Sequence, residues 1–503
     1  MSTGPRPAPH SRMRQLAAHS FVYGLAGVLT KLVGIILLPV YAHYVTPAEF
    51  GEIELVLVTV TLAAIVLRLG LLAGMFRFVF DFEPDARRST IQTVFTSILG
   101  LSTFGLLVGL ALVGPIADVM EVPQELVLIG LFGLWVTMNY DVIGGVYRIE
   151  QRPLPYVSFS LVNLALTVVF SLLFVIVLDL GGEGILLGNF SGSFVVYGAM
   201  LVARRDVLGF HSFDRHLLRR ILNFSIPLMP AGISLWALNA ADRFQVQRLA
   251  SDTDLGIYSA ASKIALGIMV LIGAFQTAWV PFANSIADDD DARRTYRLAF
   301  SYWSVWTVWG LVAISALAPL YIHLTMPSDW WDSSDLVPLL MAGSVLWGAY
   351  MIINIGVNRS KRTRLTPVVT ATAAVVNIGL NFLLIPAWGV VGAAVSTVVG
   401  YSVLVLLGWL NAQTGFPVPY DWSRVARIAV AAMGLVALSV WVIPDTGVAA
   451  WIGRILLVAV YPLALMVVGA VRPNDWRRFE GLIDRVRQGR RKRAAESGFE
   501  SAL

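Results

Sequence analysis

Long apolar runs alternate with short polar connections along the whole chain. About 20 apolar residues carry an α-helix across a bilayer. Fourteen such runs can be marked, at 20–43, 53–76, 90–112, 125–147, 155–178, 185–203, 221–247, 255–283, 298–320, 334–357, 365–386, 389–411, 425–443 and 450–471. The first run, from Phe21, follows Arg6, Arg12 and Arg14. It exceeds the roughly 7–15 apolar residues of a signal peptide, so it reads as a retained span. The pattern predicts an all-α polytopic membrane protein with fourteen transmembrane helices.

Basic residues test that count independently, because cytoplasmic connections collect Lys and Arg. With the N-terminus inside, the inward connections and the two ends hold 31 of the 37 Lys and Arg. The outward connections hold almost none, Arg248 being the exception. A missed or invented span would scramble this alternation. Both termini are expected in the cytoplasm.

The chain also repeats itself. TPAEFGEIELVLVTV (46–60) matches SDTDLGIYSAASKIA (251–265), and GGVYRIEQRPLP (144–155) matches IGVNRSKRTRLTP (355–367). NIGLNFLLIPAWGVVGAAVSTVVGY (377–401) has an echo in 163–193. Each repeat covers six spans, an even number, which relates the halves by an axis along the membrane normal. The expected organisation is a cytoplasmic N-terminal segment (1–19), a first lobe of spans 1–6 (20–203) and a cytoplasmic linker (204–220). A second lobe of spans 7–12 (221–411), an appended pair (425–471) and a basic cytoplasmic tail (472–503) follow. The two lobes would face each other across a central cleft. In 377–401, Asn, Ser and Thr beside Gly392, Ala393 and Ala394 are the composition of closely packed helices.

Composition narrows the chemistry. Of 503 residues, 57% are hydrophobic and 14% charged, with a mean hydropathy of +0.73, so lipid is the main solvent. The chain has no cysteine, which excludes disulfides and thiol chemistry, and its six histidines are scattered. No phosphate-binding loop is present, and the outward loops reach only about a dozen residues. Machinery for bond-making is missing; no enzyme activity, cofactor, metal or nucleic-acid partner is expected.

A charge at the bilayer centre costs at least ~2.5–3.5 kcal/mol, so each one needs a reason. The cations within spans are Lys31, Arg68, Arg243, Lys263 and Arg454; the clearest anions are Asp141 and Asp242. Four of the cations fall in spans 1, 2, 7 and 8, corresponding elements of the two repeats. Lys31 shares a helical stripe with Tyr23, Gly27 and Gly34, which either lines a cavity or packs on a neighbour. Arg68 either faces the cavity or snorkels to the cytoplasmic surface. Arg243 is a candidate for a substrate phosphate, with Asp242 orienting it or carrying a coupling proton. The alternative is a structural pair with Lys263 or Arg248, since adjacent helical residues point about 100° apart. Lys263 is a further candidate cavity residue. Asp141 is a structural hydrogen-bonding group or a second coupling carboxylate, and Arg454 an interfacial anchor. Pro39, Pro227 and Pro230 interrupt spans 1 and 7 at matching places and are expected hinges. Trp236 and Trp279 could stack on sugar faces, although most of fifteen tryptophans in such a chain serve interfaces or packing. In the tail, Phe479, Leu482, Ile483 and Val486 share one face among arginines, the pattern of an interfacial helix.

LLPVYAHYVTPAEFGEIEL (37–55), DRFQVQRLASDTDLGIYSAASKIA (242–265), FQTAWVPFANSI (275–286) and the 377–398 motif together resemble one family. It is the polysaccharide-transport branch of the multidrug/oligosaccharidyl-lipid/polysaccharide exporter superfamily, which includes Wzx-type flippases. The resemblance runs in order from about Ser20 to Trp409 and also suits fourteen spans. It implies a transporter that moves a polyprenyl-pyrophosphate oligosaccharide from the cytoplasmic to the outer leaflet for surface polysaccharide biosynthesis. Alternating access in the cytoplasmic membrane of a bacterium or archaeon is implied, driven by membrane potential or a proton or sodium gradient. Partners would be membrane lipids and other polysaccharide-assembly proteins, with the chain itself a monomer. A cation-lined cleft suits such an anionic cargo. The rivals are a cation/drug antiporter of the same superfamily, expected to show twelve spans and acidic cavity residues, and a peptidoglycan-precursor flippase. A membrane glycan polymerase would need a sizeable outward loop, which this chain lacks.

Overall fold

The computed structural model of the chain describes residues 29, 32–80, 84–209 and 212–471. Lys31, residues 20–28 of the first expected span and the tail expected to form an interfacial helix lie outside the described residues. Among those described, helices are the only regular elements. In chain order they are α1 (Leu32–Ala42), α2 (Pro47–Leu67), α3 (Leu71–Phe78), α4 (Pro84–Ala111), α5 (Val113–Met120), α6 (Gln124–Ile149) and α7 (Pro153–Leu172). Next come α8 (Gly181–Ala203), α9 (Arg215–Ser225), α10 (Met229–Ala240), α11 (Asp242–Leu249), α12 (Asp252–Ala265) and α13 (Ile268–Asn284). The series ends with α14 (Asp289–Thr325), α15 (Ser333–Ile353), α16 (Ile355–Ser360), α17 (Thr366–Gly415), α18 (Trp422–Trp441) and α19 (Val448–Val467).

Eleven described helices are long and apolar enough to cross a membrane, and twelve if the α12–α13 pair, bent by 41°, is one span. The 50-residue α17 holds the two runs expected at 365–386 and 389–411, merged across a kink at Gly389 (φ 57°, ψ −141°). The count of fourteen further takes in the first span, of which α1 is the described part.

Several runs break where the sequence supplies a reason. The run expected at 53–76 begins earlier, at a capping box: Glu49 N donates to Thr46 Oγ1 (3.3 Å) and Thr46 N to the Glu49 carboxylate (2.8 Å). It ends at Leu67, where Leu69 and Gly70 adopt positive φ before α3. The run expected at 221–247 is α9, a 3₁₀ turn over Ile226–Leu228, α10 and α11; Pro227 sits in that turn and Pro230 opens α10.

The repeat reappears in three dimensions. Gly181 and Gly389 both turn the chain with positive φ between two antiparallel helices. Three residues on, Gly184 meets the backbone of Phe174 and Val175, and Gly392 that of Leu384 and Ile385, so closely that a Cβ would clash at 3.0 Å or less. In the first half α4, α6, α7 and α8 pack together; in the second half α17 packs on α10 and α15. The appended helices α18 and α19 lie against α14.

Arg454 departs from the interfacial anchor expected of it. Its side chain is 1% exposed and donates to Ala316 O (2.9 Å), Ser439 Oγ (3.1 Å) and Asp445 Oδ1 (2.6 Å), tying α19 to α14 and α18. Its position about two turns into α19 hid this role, because an arginine near a span end ordinarily reaches for water.

Candidate functional site: the seam between the halves

The two repeats meet along α2. Gly51 and Gly256 hold equivalent positions in the 46–60 and 251–265 motifs, and each lies on the other motif's backbone. A Cβ on Gly51 would stand 2.4 Å from Asp252 O, and one on Gly256 only 1.7 Å from Pro47 O. Pro47 and Asp252 are themselves repeat equivalents, so the contact is reciprocal, as around a local two-fold axis. Only glycine permits helices this close. Ser251 caps α12 as Thr46 caps α2, with Asp254 N donating to Ser251 Oγ (3.1 Å).

Further along the seam, Lys263 of α12, two turns past Gly256, pairs with Glu54 of α2, about one turn past Gly51, at 2.5 Å, one residue from each half. The Lys263 side chain is 29% exposed and that of Glu54 12%. The ammonium also lies 5.3 Å from the Phe50 ring centre. Midway, Trp236 Nε1 donates to Val58 O across the seam (3.2 Å), and its ring packs at an angle on Phe244. At the opposite end α3 rests on α9: a Cβ on Gly74 would meet Ile221 and Ser225 at 2.5 Å. The seam along α2 and α3 is thus in contact at both ends and in the middle.

Beside it lies a second charge cluster. Asp242, nearly fully buried, pairs with Arg243 (2.8 Å) and accepts a hydrogen bond from Tyr258 Oη (2.5 Å). Arg243 also donates to Asn239 O (2.7 Å) and lies 5.6 Å from the Tyr258 ring centre. Tyr401 Oη donates to Asn239 Oδ1 (2.7 Å), and Thr397 Oγ1 stands 3.4 Å from Tyr258 Oη. The neighbours Asp242 and Arg243 therefore pair with each other, and neither Lys263 nor Arg248 takes Asp242. Helical geometry separates adjacent side chains, but the long guanidinium reaches back along its own helix to Asn239 O and meets the Asp242 carboxylate there.

Arg68 and Asp141 form a third pair, at 2.6 Å, within the first half, where Arg68 also donates to Thr137 O (3.3 Å). Arg68 closes α2, so it sits at the helix break and not at the Glu54–Lys263 level. Pro39 lies inside α1, where its carbonyl meets His43 Nδ1 at 2.7 Å. Trp279 is buried in an aromatic stack with Phe275 and Tyr296, a packing position.

Sequence reasoning overlooked Glu54, Tyr258, Asn239 and Tyr401. Glu54 changes the electrostatics most. Arg68, Arg243 and Lys263 each have a carboxylate partner, so the described cations on and beside the seam stand in ion pairs. In the 377–401 motif, Asn381 Nδ2 donates to Gln245 Oε1 (2.8 Å), joining α17 to α11, as the helix-packing reading expected. Asn377 and the Oδ1 of Asn381 are buried without a hydrogen-bond partner. Among the described residues no cluster of three or more His, Cys, Asp or Glu could hold a metal ion.

With this geometry in hand, relatives place the chain. Solved structures share the fold. The lipid II flippase MurJ in an inward closed conformation superposes with a TM-score of 0.70 at 12% identity, over 91% of this chain and 99% of that one. An inward-facing multidrug resistance MATE family transporter of the MOP superfamily gives 0.63 at 16%, over 77% and 97%. The MATE multidrug transporter DinF-BH in complex with R6G gives 0.58 at 16%, over 82% and 97%. No curated protein sequence matches. Residues 16–286 match the profile of the polysaccharide biosynthesis protein family, more than half of the chain. The chain belongs to the polysaccharide biosynthesis protein family, and it is a multi-pass membrane protein with the fold of the multidrug/oligosaccharidyl-lipid/polysaccharide exporter superfamily.

Proposed function

We propose that the chain carries a lipid-linked oligosaccharide from the cytoplasmic to the outer leaflet of a bacterial or archaeal cell membrane by alternating access, with both termini inside. The observation that carries this reading is the Glu54–Lys263 pair, a carboxylate from one half holding an ammonium from the other at a glycine-lined seam. A charge pair of this kind is strong while closed and exchangeable on opening, because water and a competing anion can replace either partner. A polyprenyl pyrophosphate supplies such an anion. Its phosphates would draw Lys263 and Arg243 away from Glu54 and Asp242, and that exchange releases the outward seam. The glycan head travels between the halves while the polyprenyl tail stays in lipid. With the cell interior negative, outward movement of anionic cargo is favoured by ~2.3 kcal/mol per charge per 100 mV.

Resetting leaves Lys263 and Arg243 to re-pair with their carboxylates, which neutralises the empty seam for its return. Asp242 and Asp141 are the carboxylates in position to take a proton or neighbour a sodium ion in that leg. Lys31, from span 1, joins the cationic set in this reading. The breaks at Pro227 and Pro230, and Pro39 in α1, are the hinges.

A second reading, cation or drug antiport, is favoured by the buried carboxylates Glu54 and Asp242. Deleting the gene separates the two. Loss of one surface polymer, with its lipid-linked precursor accumulating inside, is the expected result, restored by the wild-type gene and not by Arg243→Ala or Lys31→Ala. Intact surface polymers with raised sensitivity to cationic dyes would favour the antiporter.

A further inference from the structure

The segment joining the two halves does more than span a gap. It is strapped to the first half: Gln92 Nε2 donates to Val207 O (3.0 Å), Ser212 N to Gln92 Oε1 (3.0 Å) and Asp214 N to Thr93 Oγ1 (3.0 Å). Ser89 Oγ donates to Ser212 O (2.9 Å), and Arg88 to Asp206 O (2.9 Å). Asp214 then caps α9, accepting from His216 N and Leu217 N.

Helix α9 has two unlike faces. Leu217, Ile221 and Ser225 are buried, with Ile221 and Ser225 against Gly70 and Gly74. Arg215, His216, Arg219 and Arg220 are exposed, flanked by the exposed aromatic rings of Phe213 and Phe224. Arg77 from α3 is exposed on the adjoining helix, and Arg220 lies over the Phe78 ring at 5.8 Å. Arginines between aromatic residues, on a short helix at the end of a span, form the surface pattern that anionic headgroups recognise. The position matters as much as the composition. α9 runs through the proline-broken turn at 226–228 into α10, the helix that reaches Val58 across the seam.

We infer that α9 is a binding site for the phosphate headgroups of anionic phospholipids in the leaflet at the cytoplasmic face, and that this occupancy holds the inward end of the seam closed. The strap fixes the start of α9 to the first half, and the headgroups press its buried face onto Gly70 and Gly74. Releasing them frees the α9–α10 unit to swing at Pro227 and Pro230. This site is separate from the ion pairs proposed to meet cargo.

Amide hydrogen exchange of 215–225 tests it. The full-length protein would be placed in nanodiscs of phosphatidylcholine alone, or of equal parts phosphatidylcholine and phosphatidylglycerol. Each arginine near an anionic surface contributes about 1 kcal/mol, so removing two predicts roughly a thirtyfold loss of lipid-dependent protection. Protection should rise with phosphatidylglycerol in the wild type, fall in R215Q/R219Q and survive in R215K/R219K, which keeps the charge. Equal protection in the two lipids overturns the inference. So does a lipid effect that R215Q/R219Q leaves intact, since the headgroups would then act elsewhere. Protection by inorganic phosphate in phosphatidylcholine discs to the same level would assign the site to a soluble anion and also overturn it.

Discussion

Adding one methyl group at Gly256 should force the seam open at the α2–α12 contact. Its Cβ would lie 1.7 Å from Pro47 O and 2.5 Å from Pro47 C, whereas a real Cβ does not approach other atoms closer than 3.0 Å. The obstacle is backbone, so no side chain can rotate away. The helices must part by at least about 1.3 Å, the gap between 1.7 Å and 3.0 Å. The same displacement stretches the 2.5 Å Glu54–Lys263 ion pair. Such a pair, partly screened because Lys263 is 29% exposed, contributes about 1 kcal/mol, so Gly256→Ala should move the closed–open equilibrium roughly fivefold toward open. With no native cysteine, spin labels at Ala48→Cys and Thr253→Cys, repeat-equivalent positions on α2 and α12, report the separation by pulsed electron resonance. The distance distribution should lengthen in Gly256→Ala and, less strongly, in Gly51→Ala, where the close approach is 2.4 Å. Gly198→Ala, whose Cβ meets nothing within 4 Å, should match the parent. An unchanged distribution in Gly256→Ala would refute the claim that this contact closes the seam.

Other consequences follow from the ion pairs. Lys263→Glu should lower transport at least about tenfold through a like-charge clash with Glu54, and the exchange Glu54→Lys/Lys263→Glu should recover part of it in a complementation assay; no recovery would mean that the two act separately. Arg243→Ala leaves Asp242 buried beside Tyr258 without its cation, a change that costs about 3–5 kcal/mol where a buried pair is broken. Asp242→Asn/Arg243→Gln, which keeps polar partners without the charge, should restore thermal stability but not export, and restored export would remove Arg243 from the transport role. Arg454→Met should reduce stability by about 1–3 kcal/mol through lost hydrogen bonds, read as a lower melting temperature in detergent. An unchanged melting temperature would return Arg454 to the role of a surface anchor.

Much of this architecture was legible in the chain because membranes impose strong periodic demands. Runs of apolar residues located the helices, although α2 ends nine positions before its run does and α14 begins nine before its own. The breaks were less visible: the end of α2 depends on Leu69, a residue without any preference for positive φ. The repeat motifs were visible, but nothing in the sequence marked Gly51 and Gly256, which stand at matching places in both, as the point where the halves touch. Which charges meet across it was not legible. Glu54 lies just inside a run and aligns in the repeat with Ser259, so nothing local marked it, and its partner is more than two hundred residues away. Asp242 and Arg243 pair because the long guanidinium reaches back to Asn239 O, a side-chain conformation that adjacent-residue spacing does not contain.

The most direct test of the account is movement of cargo by the purified protein. Proteoliposomes loaded with a fluorescent polyprenyl-pyrophosphate oligosaccharide, and given a potential negative on the side from which it leaves, should show the labelled head transferring between leaflets. Transfer should slow when the potential is removed and fall to the protein-free rate in Arg243→Ala/Lys263→Ala. Transfer equal to the protein-free rate in the wild type, in vesicles where the protein is shown to be folded, would contradict the proposed function.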